Sequence, residues 1–215
     1  CVTLVGAGPV NKADLKEALD LAPCLVAADG GAELLLNYGE TPKKVIGDFD
    51  SIDREFLEKI PVSDRHHVAE QESTDFEKCL TRIRAPLILG LGFLGARLDH
   101  QLAAMNALVR NPGGPCLLIG DEDIVFHTPG ELSLTLESDS RISLIPLRPV
   151  RGHSEGLHWP IKGLDFSPPG QIGISNRAIG GNVRLSFDGP GMLVILPRAA
   201  LAEAVRALLA GVRAR

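Results

Sequence analysis

"APLILGLG", residues 85–92, is an unbroken apolar run, and "LDHQLAAMNALVR", residues 98–110, follows it closely. A short apolar run without alternation is the pattern of a strand buried on both faces, as in the centre of a parallel sheet covered by helices. The second stretch repeats apolar residues at helical spacing. Leu98, Leu102, Met105 and Val109 share one face, which predicts a helix buried along that stripe.

Reading outward, the same alternation recurs through the first ~120 residues. "CVTLVGAG" (1–8), "CLVAAD" (24–29), "KKVIGD" (43–48), "DRHHV" (64–68) and "PCLLIGD" (115–121) read as strands. "NKADLKEALDL" with Asn11 as cap, "GGAELLLNYG" closed by Gly39, and "DREFLEKI" read as helices. "TDFEKCLTRIR" opens with Thr74 and carries Glu77 three residues on, which is a capping box. Past about Ile124 the texture changes to β-type segments joined by Pro/Gly turns: "IVFHT-PG-ELSLTLE", "SRISLIPL" and "NVRLSFDG-PG-MLVIL". The expectation is an α/β fold: a parallel-sheet domain over 1–122, then a β-sandwich domain over 123–215 that ends in a helix. The apolar stripe of that helix should dock, with its arginines on a solvated face.

Composition narrows the function. A chain of 215 residues with 45% apolar content can bury a real core and is no disordered polymer. A net charge of -5 argues against nucleic acid as partner, and no apolar run approaches the ~20 residues of a membrane helix. The four cysteines lie far apart in apolar contexts and form no CxxC, as expected of reduced core thiols in a cytoplasmic protein. There is no signal-peptide pattern. The chain opens at Cys1 rather than Met, so the native start is not settled.

Acids fall where strands should end. Asp29 follows "CLVAA", Asp48 and Asp50 follow "KKVI", and Asp75 and Asp99 each open a helix. In an open parallel sheet the ligand crevice lies at the carboxyl ends of the strands, so these residues should converge. Such a cluster repels itself unless a cation sits in it. Residues i and i+2 of a strand share a face, so Asp48 and Asp50 would grip one hard cation if the strand persists that far. All-oxygen ligation suits magnesium with phosphate oxygens. The blander reading is turns, caps and surface pairs: D-x-D in a loop, Asp53 as a cap, and Asp75 paired with Lys78. Gly30 and Gly31 weigh against it by leaving backbone N–H groups to face an anion, and Arg97 beside Asp99 offers a phosphate-binding guanidinium. "GAGPVNK" (6–12) matches neither a Walker A loop nor GxGxxG; it reads as a strand-to-helix turn with a minor phosphate contact. No histidines have zinc-ligand spacing.

At this point the chain resembles the thiamin pyrophosphokinase family. The resemblance rests on "ADGGA" (28–32), "GDFDS" (47–51), "QESTDFEKCL" (71–80), "GARLDH" (95–100), "GLHWPI" (156–161) and "SN" (175–176), in order and spacing. It implies transfer of a pyrophosphoryl group from ATP to the hydroxyl of thiamin, giving thiamin diphosphate and AMP. It also implies a homodimer with active sites between subunits. Carried over residue by residue, Asp48, Asp50 and Asp75 are the magnesium ligands and, with Arg97 and Asp99, the catalytic set. Asp29, Gly30, Gly31, Thr74, Lys78, Arg97 and His100 lie near ATP. Gln71, Trp159, Ser175 and Asn176 contact thiamin. The residues leave Asp75 and Asp99 both open as acceptor of the hydroxyl proton. One departure is Ala96, where the family has a second glycine. As a lone tryptophan, Trp159 reads as sandwich core; the resemblance makes it a stacking plate for a cationic aromatic ligand. Two alternatives stand beside the kinase: a Mg/Mn-dependent nucleotide-sugar transferase using D-x-D, and a non-catalytic nucleotide or thiamin binder.

Overall fold

The computed structural model describes all residues except Pro112, Pro129, Ala214 and Arg215. The expected turn at Pro129 and the last two residues of the expected terminal helix therefore lie outside the described residues. The chain divides into two compact units, Cys1–Gly120 and Asp121–Arg215.

In the first unit, strands and helices alternate: β1 (Val2–Val5), α1 (Lys12–Leu21), β2 (Cys24–Ala28), α2 (Gly31–Tyr38), β3 (Lys44–Gly47), α3 (Arg54–Lys59), β4 (Arg65–His67), α4 (Asp75–Arg82), β5 (Ile88–Leu91), α5 (Leu98–Arg110) and β6 (Cys116–Ile119). The strands pair in parallel in the order β6-β5-β1-β2-β3-β4. β5 is paired on both sides, and Leu89, Leu117 and Leu4 are fully buried at its level and beside it. Each such side chain contributes about 2 kcal/mol of burial. Local signals agree with this frame. Asn11 caps α1 by accepting from the Asp14 N–H at 2.8 Å, which stabilises by about 1 kcal/mol. Gly39 closes α2 in the left-handed conformation, at φ 85°. Thr74 and Glu77 form the reciprocal capping box of α4. Asp53 holds the cap position of α3 but makes no side-chain capping bond.

One expectation holds only in part: of the predicted stripe Val109 is buried and Met105 is half-buried. Leu98 and Leu102 are 69% and 59% exposed. The buried face of α5 is Ala104, Ala107, Leu108 and Val109. Both sets satisfy a 3.6-residue period, so spacing alone does not choose between them. The face that packs against the rest of the unit, α4 included, is the one that carries the alanines.

The second unit contains β7 (Asp123–Thr128), β8 (Leu132–Leu136), β9 (Arg141–Pro146), β10 (Val150–Glu155), β11 (Lys162–Phe166), β12 (Gly173–Arg177), β13 (Gly181–Phe187), β14 (Met192–Pro197) and α6 (Leu201–Arg213). Two antiparallel sheets form the sandwich, ordered β12-β9-β14-β7 and β11-β10-β13-β8. Alternation is clean on β8, where Leu132, Leu134 and Leu136 are buried while Ser133 and Thr135 are exposed. The apolar stripe of α6 docks on β8, burying Leu201, Ala204, Val205, Ala207 and Leu208. Its Glu203 carboxylate accepts from the Thr135 backbone N–H. Arg206 stays exposed on the outer side and pairs with Glu203. No helix among the described residues is long and apolar enough to cross a membrane.

All four cysteines are free, but only Cys79 and Cys116 are core thiols; Cys1 and Cys24 are half-buried. Burial pushes both core thiols far above the ordinary thiol range, so neither is a nucleophile.

His127 on β7 accepts a hydrogen bond from the Gly191 N–H at 3.0 Å. Burial, and then the nearby Arg148 charge, lower its pKa from 6.5 to about 4. The unfolded chain therefore binds this proton first as pH falls. The stability that neutral His127 contributes is complete above about pH 6.5 and is lost as the pH falls from there towards 4. Melting temperatures from pH 7 to 4 should fall more steeply for the unaltered chain than for His127→Gln. Parallel curves would remove His127 as the cause.

Candidate active site

The sheet order reverses between β1 and β5, since β2 lies on one side of β1 and β5 on the other. Ligands of doubly wound folds bind at such a switch point. A cavity of about 380 Å³ opens there, within the usual range for small-molecule sites. The turns that follow β1 and β5 line it. Gly6, Ala7 and Gly8 follow β1, and Gly92 and Phe93 follow β5. Gly8 N–H donates to the Gly92 carbonyl at 3.0 Å. Asp29, Gly30 and Ser51 form one wall, Thr74, Asp75 and Phe76 another, and Ala96, Arg97, His100, Gln101 and Ala104 of the α5 region a third.

Beside this cavity the acids converge. Asp29, Asp48 and Asp50 can each offer a carboxylate oxygen, with the three atoms within 4.8 Å of one another. The route differs from the one that the spacing suggests. β3 ends at Gly47, so Asp48 and Asp50 are not pleat neighbours on a strand. They face together because Phe49 between them turns left-handed, with φ 66°. Asp75, the first residue of α4, joins through a shared cation. The Lys78 ammonium donates to Asp48 Oδ2 at 2.8 Å and to Asp75 Oδ1 at 3.1 Å, and the Lys78 side chain is only 2% exposed. Gln71 donates to the same Asp48 oxygen at 2.8 Å.

The electrostatics follow from these contacts. The Lys78 hydrogen bond, the largest influence, lowers the Asp48 pKa to about 2. Burial raises that of Asp75; Lys78 opposes this, while the negative charges of Asp29 and Asp48 add to it. Burial alone would lower Lys78, but its two carboxylate partners outweigh burial and raise it. The hard oxygen donors and the excess negative charge fit a divalent cation of the magnesium type.

Arg97, on the α5 wall of the cavity, pairs with Asp99. Arg97 donates Nη2 to Asp99 Oδ2 at 2.6 Å and Nε to Oδ1 at 3.2 Å, and both side chains are exposed. That pairing takes Asp99 down to about 2. The His100 N–H also donates to Asp99. Thr74 spends its hydroxyl on its own helix cap.

The second unit holds the remaining residues. Trp159 is 56% exposed and so is not sandwich core. Its backbone is gripped by the buried Asn176, whose Oδ1 accepts from the Trp159 N–H at 3.2 Å and whose Nδ2 donates to the Trp159 carbonyl at 2.7 Å. His158 meets the indole edge-on at 4.5 Å. Ser175 takes a left-handed conformation, with its N–H donating to Ser143 Oγ at 3.0 Å.

Sequence reasoning missed Ser51, Phe76, Phe93, Gln101 and Ala104 as cavity residues. The one usable signal was the glycine spacing of "GLGF" (90–93), which leaves room for the Phe93 ring. That ring would lie 2.7 Å from a Cβ on Gly6 and 3.2 Å from one on Gly90.

A cavity at a switch point, lined by glycine-rich turns and flanked by clustered carboxylates, defines a fold suited to phosphorylated small molecules. Comparison with known proteins makes this specific. The pattern described as "Thiamin pyrophosphokinase, catalytic domain" matches residues 15–121, and "Thiamin pyrophosphokinase, vitamin B1 binding domain" matches residues 131–191. Thiamine pyrophosphokinase 2 of Oryza sativa subsp. japonica is 30% identical over 199 residues, covering 76% of this chain and 74% of that protein. Thiamine pyrophosphokinase of Bacillus subtilis (strain 168) is 27% identical over 214 residues, covering 91% and 97%. The crystal structure of thiamin pyrophosphokinase from Geobacillus thermodenitrificans superposes with a TM-score of 0.74 at 25% identity, covering 91% and 96%. The chain belongs to the thiamin pyrophosphokinase family.

Proposed function

We propose that this enzyme transfers the pyrophosphoryl group of ATP to the hydroxyl of thiamin, giving thiamin diphosphate and AMP. The observation that carries this reading is the convergence of Asp29, Asp48 and Asp50, with Asp75 tied in by Lys78, beside the switch-point cavity. The 1–122 segment is the ATP and magnesium domain, and 123–215 is the thiamin domain.

The thiamin hydroxyl oxygen attacks the β-phosphorus. The bond between that phosphorus and the bridging oxygen to the α-phosphorus breaks, and AMP departs with the bridging oxygen. Such a transfer needs alignment and charge neutralisation more than covalent help. Asp48, Asp50 and Asp75 are the residues proposed to hold magnesium, and the clustering adds Asp29 as a neighbour. When bound, the ion neutralises phosphate charge. Gly30 lines the cavity at the start of α2, which supports a main-chain contact to phosphate there, whereas Gly31 is buried, a Cβ on it lying 2.1 Å from the Val5 carbonyl oxygen. Arg97 and His100 meet it from the α5 wall. Lys78 is buried between carboxylates, which supports a role in holding Asp48 and Asp75 rather than in touching phosphate.

Asp75 is the better placed acceptor for the hydroxyl proton. It lies on the cavity wall with Lys78 on one oxygen. Arg97 engages both oxygens of Asp99. Thiamin contacts fall to Gln71, Trp159, Ser175 and Asn176, with Asn176 steadying the tryptophan loop. A homodimer with active sites at the subunit interface follows from the family resemblance, and sedimentation at working concentrations tests it. The four free cysteines support a cytoplasmic setting.

Incubation with ATP, thiamin and magnesium should release AMP in proportion to thiamin. Tight thiamin or nucleotide binding without AMP would make the chain a sensor. Release of sugar from a nucleotide sugar would make it a transferase of the other class.

Trp159→Ala should raise KM for thiamin at least tenfold and lower the melting temperature by only a few degrees, because about half of the indole faces solvent. A change confined to melting temperature would return the residue to a packing role.

A further inference from the structure

Asp29 differs from the other acids of the cluster. Its side chain is almost wholly buried, at 2% exposure. Both of its oxygens are engaged by the neighbouring loop: the Phe49 N–H donates to Oδ1 at 2.8 Å, and the Ser51 N–H donates to Oδ2 at 3.2 Å. These two amides alternate along the chain with Asp48 and Asp50. The residue between the two acids, Phe49, sits in the left-handed region, which costs a bulky residue about 1–2 kcal/mol. Gly47 completes the fit, since a Cβ there would lie 2.6 Å from Asp29 Oδ1. A carboxylate receiving two N–H bonds makes a strong charge-assisted anchor, and here it offsets the strain of a turn that the loop would otherwise leave.

We infer that Asp29 is a positioning residue: its carboxylate binds the Phe49 and Ser51 amides and so holds the 48–51 turn in the one shape that aims Asp48 and Asp50 at a common cation. This rests on the metal reading of the proposed function. It assigns Asp29 a different duty from nucleotide contact or direct ligation. An asparagine in its place would present an NH2 group to one of the two amides. An alanine at 47 would push the carboxylate off the Phe49 amide while leaving every acid in the sequence. In either case the turn loses its anchor, and a glycine at 49, free to adopt positive φ, should recover part of the loss.

The test measures Mn2+ affinity of the folded, nucleotide-free protein by electron paramagnetic resonance, with melting curves run alongside. Asp29→Asn and Gly47→Ala should each weaken Mn2+ binding at least tenfold. Adding Phe49→Gly to either should restore about fivefold, whereas adding it to Asp50→Asn, a lost ligand, should restore nothing. If Asp29→Asn does not fold, the Gly47→Ala pair decides alone. Unchanged Mn2+ affinity in folded Gly47→Ala, or no recovery with Phe49→Gly, overturns the inference. Failure of the unaltered chain to bind Mn2+ would count against the metal reading itself and remove this inference with it.

Discussion

Replacing Asp48 with asparagine should lower kcat at least a thousandfold while the protein stays folded. The carboxylate removed is held fully ionised, with a pKa of about 2, by the Lys78 ammonium 2.8 Å away. It lies among the oxygens that can share one cation. A thousandfold loss corresponds to about 4 kcal/mol of transition-state stabilisation, within what charge neutralisation at a phosphoryl centre supplies. The fold should survive because Lys78 keeps Asp75 at 3.1 Å, and an asparagine side chain still offers an oxygen to Lys78 or Gln71. Some stability should nevertheless go, because a buried pair becomes half a pair. Steady-state assays at saturating magnesium check the rate, and melting curves check the fold. Asp53→Asn is the matched control: that acid stands five residues on, in the same segment, and makes no capping bond. Turnover of Asp48→Asn within tenfold of the unaltered chain would end its assignment as a ligand.

Lys78→Met should be the most destabilising single change at the site, at about 3 kcal/mol. Its ammonium is a buried cation between two carboxylates, and removing one member of such a set leaves uncompensated charge in a poorly solvated place. For a chain of this size that is a fall of roughly 10 °C in melting temperature. The pH dependence should change too. In the unaltered chain the folded-state pKa of Asp48 is depressed from 3.8 to about 2. Its pairing therefore contributes stability above about pH 3.8, which is lost as the pH falls towards 2. Without Lys78 that contribution disappears, and mild acid should help the variant by protonating Asp75. Magnesium should stabilise Lys78→Met more than it stabilises the unaltered chain, because the ion then supplies the positive charge that Lys78 gave to Asp48 and Asp75. Equal magnesium responses would mean that Lys78 and the cation sites are independent.

These two residues illustrate how much of the site could be read from the chain. Asp48, Asp50 and Asp75 stand out in sequence because acids at strand ends and helix starts are conspicuous wherever a parallel sheet is expected. That the Lys78 side chain is shut away between Asp48 and Asp75 was not legible. Its neighbour Asp48 is thirty residues distant, and a lysine three residues after an aspartate on a helix usually makes a solvated pair. Trp159 carried two readings, and its surroundings remove one: half of it faces solvent, so it is not sandwich core. The stripe of Leu98, Leu102, Met105 and Val109 shows a partial failure, since only Val109 is buried. Periodicity marks an apolar face, but the face that is buried is the neighbouring one of Ala104, Ala107 and Leu108, with Val109 beside it.

Local physics was enough to determine the order and type of most elements. A capping box, a left-handed glycine, a run of apolar β-formers and an alternating strand each depend on residues within a few positions of one another. Tertiary structure alone decided where β3 stops, how Phe49 turns Asp48 toward Asp50, and which groups anchor that turn. Those outcomes depend on hydrogen bonds between residues some twenty positions apart, from the Phe49 and Ser51 amides to Asp29, and no spacing rule encodes them.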